Sequence, residues 1–356
     1  MRIEQLTFTR FIAAISIVIF HFGDHSVLFN NKYTAFIFNQ ANVGVSYFFI
    51  LSGFVMIVAY SSYERIDYVS FLRNRLARIY PVYVAALLLF LLIAFLDNRY
   101  SEITLSEVIL HLFMLQTWFS SKVLSLNYPG WSLSVELFFY LIFPFFFNFF
   151  YRKKNIQSIG ICIVLFWVIT QLIFHLIIQF DVIRVHEVNK NYFKYNPLMH
   201  LNEFLIGNLL GLYYVRKSVK KDKNYLNIII VTLFVLVILL KFRFRLNFHN
   251  GLLAVVFVPL ILFISISNDS IVTFFSKPFF IFLGEISFGL YILQVPIWSL
   301  LSDYRMNRYL GLDYQKDFTI SFFIRLLVLV FFSSLSYVYF ETPLRNVIKK
   351  IGVKNF

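Results

Sequence analysis

Long apolar runs separated by short basic clusters set the pattern of this chain. Ten runs approach the roughly 20 residues that a helix needs to cross a bilayer. They lie at 8–23, 43–60, 79–97, 131–150, 157–179, 198–216, 225–241, 250–267, 283–301 and 318–340. The run 104–119 is apolar but short and carries Glu107 and His111, which fits a re-entrant or interfacial segment. The pattern therefore predicts an all-α, polytopic membrane protein of one domain, residues 1–356, with no linker or long-period repeat. An even number of crossings puts both termini on one side. The basic segments Arg65 to Arg78, Arg152-Lys153-Lys154, Arg216 to Lys223 and the tail Arg345 to Lys354 all fall on that side. Short loops rich in Lys and Arg stay cytoplasmic, so the termini are expected there. Scattered charges such as Arg184, Lys190, Arg305 and Arg308 fall on the other side. Lys241, Arg243 and Arg245 run against the rule.

Composition supports the class. Of 356 residues, 60% are hydrophobic and 14% charged, with 47 Phe and 22 Tyr. A soluble domain of this size has too little polar surface at that composition. The net charge of +14 accordingly points to cytoplasmic loops and anionic headgroups and not to nucleic acid. The single cysteine, Cys162, lies in an apolar run, which excludes a disulfide framework and a cysteine metal site. The first apolar run is followed by His21, Asp24 and His25 without a small-residue cleavage site, so it reads as a retained helix and not as a signal peptide.

Candidate chemistry begins in that first run. Arg10 and His21 are eleven residues apart, about three turns and 16 Å of helix, so they share one face. Ionisable groups at membrane depth cost about 2.5–3.5 kcal/mol on insertion scales and turn toward protein or a wet cavity. Arg10 is either a headgroup anchor or part of such a cavity; His21 is either a satisfied interior histidine or a reactive one. In the second run, Gly53 suits close helix packing, and Ser52 can donate into a cavity. Arg73, Arg75 and Arg78 precede Pro81, which fits the first turn of a helix. Arg75 and Arg78 lie on neighbouring turns and either anchor the helix or clamp a phosphate.

Glu136 follows Trp131 and precedes Tyr140. A carboxylate there needs a partner or a raised pKa, both typical of acid–base sites; a structural pair with Arg10 or Arg325 is the alternative. Glu203 is a further candidate for lining a polar cavity, while Gly207 and Gly211 read as helix packing. Pro343 is expected to stop the last helix, with Glu341 available to pair with an arginine of the Arg73, Arg75 and Arg78 cluster. His21, Asp24 and His25 have a spacing compatible with metal ligation but lack a fixed third strong ligand, so no metal is expected.

Taken together and in this order, these segments resemble membrane-bound acyltransferase family 3, integral-membrane enzymes that O-acylate polysaccharides and other glycoconjugates. The resemblance runs over nearly the whole chain. It rests on Arg10-Phe-Ile-Ala-Ala with His21, the Phe48-Phe-Ile-Leu-Ser52-Gly-Phe run, and Arg75-Leu-Ala-Arg78-Ile-Tyr-Pro81. It continues through Trp131-Ser-Leu-Ser-Val-Glu136-Leu-Phe-Phe-Tyr140, Glu203-Phe-Leu-Ile-Gly207, Leu283 to Tyr291, and Tyr339-Phe-Glu341-Thr-Pro343. One departure stands out. Where such proteins often read Tyr-Leu-x-His-x-Pro, this chain has Tyr291-Ile-Leu-Gln294-Val-Pro296. No extracytoplasmic hydrolase-like domain, which some members carry, is expected after the tenth run.

The resemblance implies an O-acyltransferase, in the first instance an O-acetyltransferase, in the cytoplasmic (inner) membrane. Acetyl-CoA or another acyl-CoA is then a co-substrate, with no bound cofactor, and a glycan or glycolipid is the acceptor. Arg73, Arg75 and Arg78 would hold the nucleotide phosphates and Arg10 would guide the pantetheine arm. His21 would act as general base, or as an acyl-carrying nucleophile, with Glu136 orienting the imidazole or the sugar. Ser52, Trp131, Tyr140 and Glu203 would line the cavity or bind the acceptor. The acyl chain would thread past small positions such as Ala14. A membrane transporter or an export partner for a surface polysaccharide is the alternative. A transporter favours inverted repeats, which the chain lacks.

Overall fold

The computed structural model describes residues 3–152, 154–180, 182, 186–217 and 224–350. Lys153, Arg184, Lys220, Lys221, Lys223 and Lys354, counted above in the charge pattern, lie outside them. Among the described residues the chain is all-helical, and seven helices are long and apolar enough to cross a membrane.

The elements in order are α1 (Thr7–Phe22), α2 (Gly44–Tyr60), α3 (Tyr68–Leu96), α4 (Leu105–Leu112) and α5 (Trp131–Phe146). There follow α6 (Ile156–Phe174), the short α7 (Glu187–Tyr195), α8 (Pro197–Arg216), α9 (Leu226–Phe242) and α10 (Ala254–Ile266). The last are α11 (Pro278–Leu300), α12 (Asp303–Leu310), α13 (Phe318–Leu335) and α14 (Thr342–Lys350). Each expected apolar run is a helix, and 104–119 is not a span: its helix α4 has eight residues and a capping box of Thr104 and Glu107.

Two boundaries differ from the sequence expectation, both for backbone reasons. The helix expected from residue 79 starts at Tyr68, where the Asp67 side chain accepts from Ser70 N at 2.8 Å. All three arginines are therefore helical, and Pro81 sits inside α3, not in its first turn. Charge interrupts an apolar run without interrupting a helix. Pro343 likewise does not stop the last helix. A π-turn, Ser336–Glu341, follows α13 and leads directly into α14, which carries Pro343 in its first turn, where a missing N–H costs nothing.

Glycine sets the closest contacts. A Cβ on Gly53 would lie 2.2 Å from the Phe204 carbonyl oxygen, and one on Gly207 would lie 2.0 Å from that of Ile50. Thus α2 and α8 touch backbone to backbone, as their small residues predict. In the same way Gly284 of α11 lets the Thr7 carbonyl of α1 approach, its absent Cβ being 2.1 Å away. These seams place α1, α2 and α11 side by side, with α3, α5 and α14 around the space they leave.

Candidate functional site

That space is a cavity of about 340 Å³, bounded by α1, α2, α3, α5, α11 and α14. From α1 it takes only the first turn, Thr7 and Arg10. From α3 it takes Arg75 and Arg78, and from α14 it takes Arg345. Among the described residues none of these four arginines is within ion-pair distance of a carboxylate. The Arg75 guanidinium lies over the rings of Tyr60 and Phe71, each at 5.4 Å, and of Tyr140 at 5.9 Å. Its Nε is buried and unpartnered. The Tyr337 hydroxyl, within electrostatic reach of Arg345, donates to Glu285 Oε2 at 3.1 Å. Lys349, one turn on along α14, is within electrostatic reach of Arg75, Arg78 and Arg345. Cations so gathered repel one another, and a polyanion is the ligand that relieves this.

Glu136 faces the same cavity. Its Oε1 accepts from Ser52 Oγ at 3.1 Å and from the Tyr140 hydroxyl. Arg10 feels its charge without forming an ion pair. Arg325, the other partner considered, is taken by Asp303 at 2.6 Å. Tyr291 and Ser132 also line the cavity. Ser132 Oγ donates to the Tyr291 hydroxyl at 2.8 Å, and that hydroxyl donates to the Pro129 carbonyl at 2.9 Å.

His21 does not line the cavity. It lies beyond Tyr291, where its Nδ1 is 2.8 Å from Gln294 Oε1 and its ring meets Tyr128 edge-on at 4.9 Å. Its Nε2 has no protein partner among the described residues, yet it is not among the buried orphaned atoms. Hence it is open to an incoming group.

The structure therefore brings Arg10, Arg75, Arg78, Ser52, Glu136 and Tyr140 together and places Arg73, Ala14, Trp131 and Glu203 elsewhere. Glu136 is not hydrogen-bonded to His21; Ser52 and Tyr140 occupy it, and Gln294 takes the imidazole. Arg73 points away into a lateral groove with Leu72, Leu76, Tyr80 and Ile348, because α3 is helical here and turns it off the face of Arg75 and Arg78. Ala14 is fully buried in the apolar core and lines no path. Trp131 and Glu203 belong to a separate buried cluster.

In that cluster Glu203 Oε2 is 2.8 Å from His200 Nδ1, and His200 Nε2 donates to the Lys194 carbonyl at 2.7 Å. Trp131 packs on the rings of His200 and His249. His249 Nε2 donates to the same Lys194 carbonyl at 2.9 Å. Burial and the neighbouring His200 push the His249 imidazole down to about 3, so it is neutral. Gly251, at φ +82, closes the cluster: a Cβ there would sit 2.4 Å from Glu203 Cγ and 2.6 Å from Asn202 Oδ1.

Sequence reasoning missed Glu285, Tyr337 and Arg345 as members of the site, and it marked Gln294 only as a departure from the family pattern. The signal for Glu285 and Gln294 was an acid and an amide inside an apolar helix; Arg345 was hidden in a tail read as a charge run. Among the described residues no three His, Cys, Asp or Glu side chains converge as a metal-ligand set.

The chain is 29% identical over 173 residues to "Acyltransferase MdmB" of Streptomyces mycarofaciens, covering 46% of this chain and 43% of that protein. It is 24% identical over 345 residues to "O-acetyltransferase OatA" of Staphylococcus aureus, covering 88% of this chain and 53% of the relative. It thus spans about half the length of the curated relatives it matches. No solved structure matches. The family model described as an acyltransferase domain, acyltransferase family 3, matches residues 3–341, and the chain belongs to that family.

Proposed function

We propose that this protein is an integral-membrane O-acyltransferase, in its simplest form an O-acetyltransferase. It would take the acyl group from cytoplasmic acyl-CoA and place it on a hydroxyl of an extracytoplasmic polysaccharide or glycoconjugate. The observation that carries the reading is the division of α1: Arg10 lines a cavity together with Arg75, Arg78 and Arg345, whereas His21, about three turns further along the same helix, lies outside it with Nε2 unpartnered. Ten helices cross the cytoplasmic (inner) membrane, with both termini inside.

In this reading Arg75 and Arg78, joined by Arg345, hold the CoA phosphates, and the planar guanidinium fork suits that geometry. The pantetheine arm lies along α2 past Arg10, where Ser52, Tyr140 and Glu136 offer hydrogen bonds to its amides. At the far end the acceptor hydroxyl gives its proton to His21 Nε2 as its oxygen attacks the thioester carbonyl. The tetrahedral intermediate then expels CoA thiolate, which takes the proton from the imidazolium. The bond made is an ester, the bond broken is the thioester, and no oxidant or metal enters. Tyr291 and Ser132 stand between the cavity and His21, so they must part for the thioester to pass.

The direct test is incubation of the purified protein in lipid with labelled acetyl-CoA and a panel of glycans. Acyl transfer with release of CoA is expected. Glycan uptake or export without consumption of acetyl-CoA would instead assign a transporter.

A further inference from the structure

Gln294 is completely buried, three residues beyond Tyr291 on α11. Its amide is held at both ends. Nε2 donates to the Tyr291 carbonyl at 2.6 Å, and Oε1 is 2.8 Å from His21 Nδ1. A carbonyl oxygen only accepts, so the end of the amide that faces it must be the N–H end, and the first contact fixes which end is nitrogen. The oxygen must then face His21, and an amide oxygen has no proton to give. The contact is a hydrogen bond only if His21 Nδ1 carries the hydrogen. In a neutral imidazole this leaves the lone pair on Nε2, the nitrogen without a protein partner.

We infer that Gln294 is a positioning residue that holds His21 as its Nδ1–H tautomer and so makes Nε2 the base. The inference rests on the acyltransferase reading for its consequence, but the tautomer itself does not. The other buried histidines show that the fold does not impose one choice. His111 and His175 direct Nδ1 to the carbonyl four residues back, at 3.0 and 2.9 Å, whereas His249 donates from Nε2. For His21, the carbonyl four residues back belongs to Ile17, yet its Nδ1 turns instead to a side chain 273 residues away. A histidine at 294 can do the same work. With its Nδ1–H on the backbone carbonyl, as in His111 and His175, its Nε2 becomes the acceptor for His21.

The experiment uses the full chain in detergent micelles with ¹⁵N-labelled histidine. The His21 signals are identified by their loss in His21→Asn. The wild type should show His21 protonated at Nδ1 with a bare Nε2. Gln294→Met, close in size but without the acceptor, should release the imidazole into a mixture containing Nε2–H. Gln294→His should keep the wild-type tautomer. Transfer should fall roughly 100-fold in Gln294→Met and stay within about 3-fold in Gln294→His, as expected when tautomer control is lost or kept. Acetyl-CoA affinity should be unchanged in both, because the cavity is not touched. A wild-type His21 protonated at Nε2, or a Gln294→Met protein with the wild-type tautomer, overturns the assignment. A tautomer that follows residue 294 while transfer does not supports the positioning, and it is then the reading of His21 as base that fails.

Discussion

Two histidine neighbourhoods in this protein are built from similar parts and differ in what they leave open. His200 is buried with both ring nitrogens engaged, one by Glu203 and the other by the Lys194 carbonyl. His21 engages one nitrogen, through Gln294, and keeps the other free. A fully satisfied imidazole stabilises a fold and has nothing left to offer a substrate. A half-satisfied one, oriented by an uncharged partner, is poised to take a proton. The sequence marks both as histidines near apolar helix ends, and only the hydrogen-bond inventory separates them.

The largest expected effect is on the open side of the comparison. His21→Ala should lower transfer by at least ~10³-fold, about 4 kcal/mol of transition-state stabilisation, with thermal stability and acetyl-CoA binding retained. Turnover close to wild type would assign the base elsewhere. The closed side should behave in the opposite way. Glu203→Ala leaves His200 buried without its partner and should cost about 3–5 kcal/mol of stability, read as a lower melting temperature in micelles. The surviving folded fraction should keep its specific activity. A stable protein with lost transfer would move Glu203 into the active centre.

Smaller effects sharpen the view of the arginine-lined cavity. Replacing Arg75 and Arg78 together by Ala should weaken acetyl-CoA binding by about 100-fold and leave acceptor affinity unchanged. Lys at both positions should restore only part, since it lacks the planar fork. Binding titrations that show no change would return these arginines to a membrane-anchoring role. Smallest of all, Ser287→Leu adds bulk inside the cavity and should slow transfer about 3- to 10-fold, with overpacking held to the 1–3 kcal/mol range. The nucleotide affinity should persist. Should it fall in step with the rate, Ser287 borders the nucleotide and not the arm.

The helices were legible because lipid-spanning runs must be apolar, and the glycine seams were legible because Gly53 and Gly207 fall on facing helices. Arg10, Arg75, Arg78, Ser52, Glu136 and Tyr140 were legible as polar groups with no other reason to sit at membrane depth. What escaped was pairing. Nothing in the sequence tells Glu136 to choose Ser52 and Tyr140 over His21, since that depends on how α2 and α5 cross. Arg345 escaped because a π-turn carries the last helix through Pro343 and folds a basic tail back onto α3. Gln294 was noticed as a departure from the family pattern, and its partner appears only when α1 and α11 lie side by side.

In the proposed function the two ends of α1 serve substrates on opposite faces of the membrane. Sealed vesicles of uniform protein orientation test it, with labelled acetyl-CoA on the side of the arginine cavity and glycan on the other. Label should reach the glycan with no free acetate or CoA crossing, and none should reach it when acetyl-CoA is supplied on the His21 side alone. Transfer that occurs only when both substrates share a compartment would contradict it.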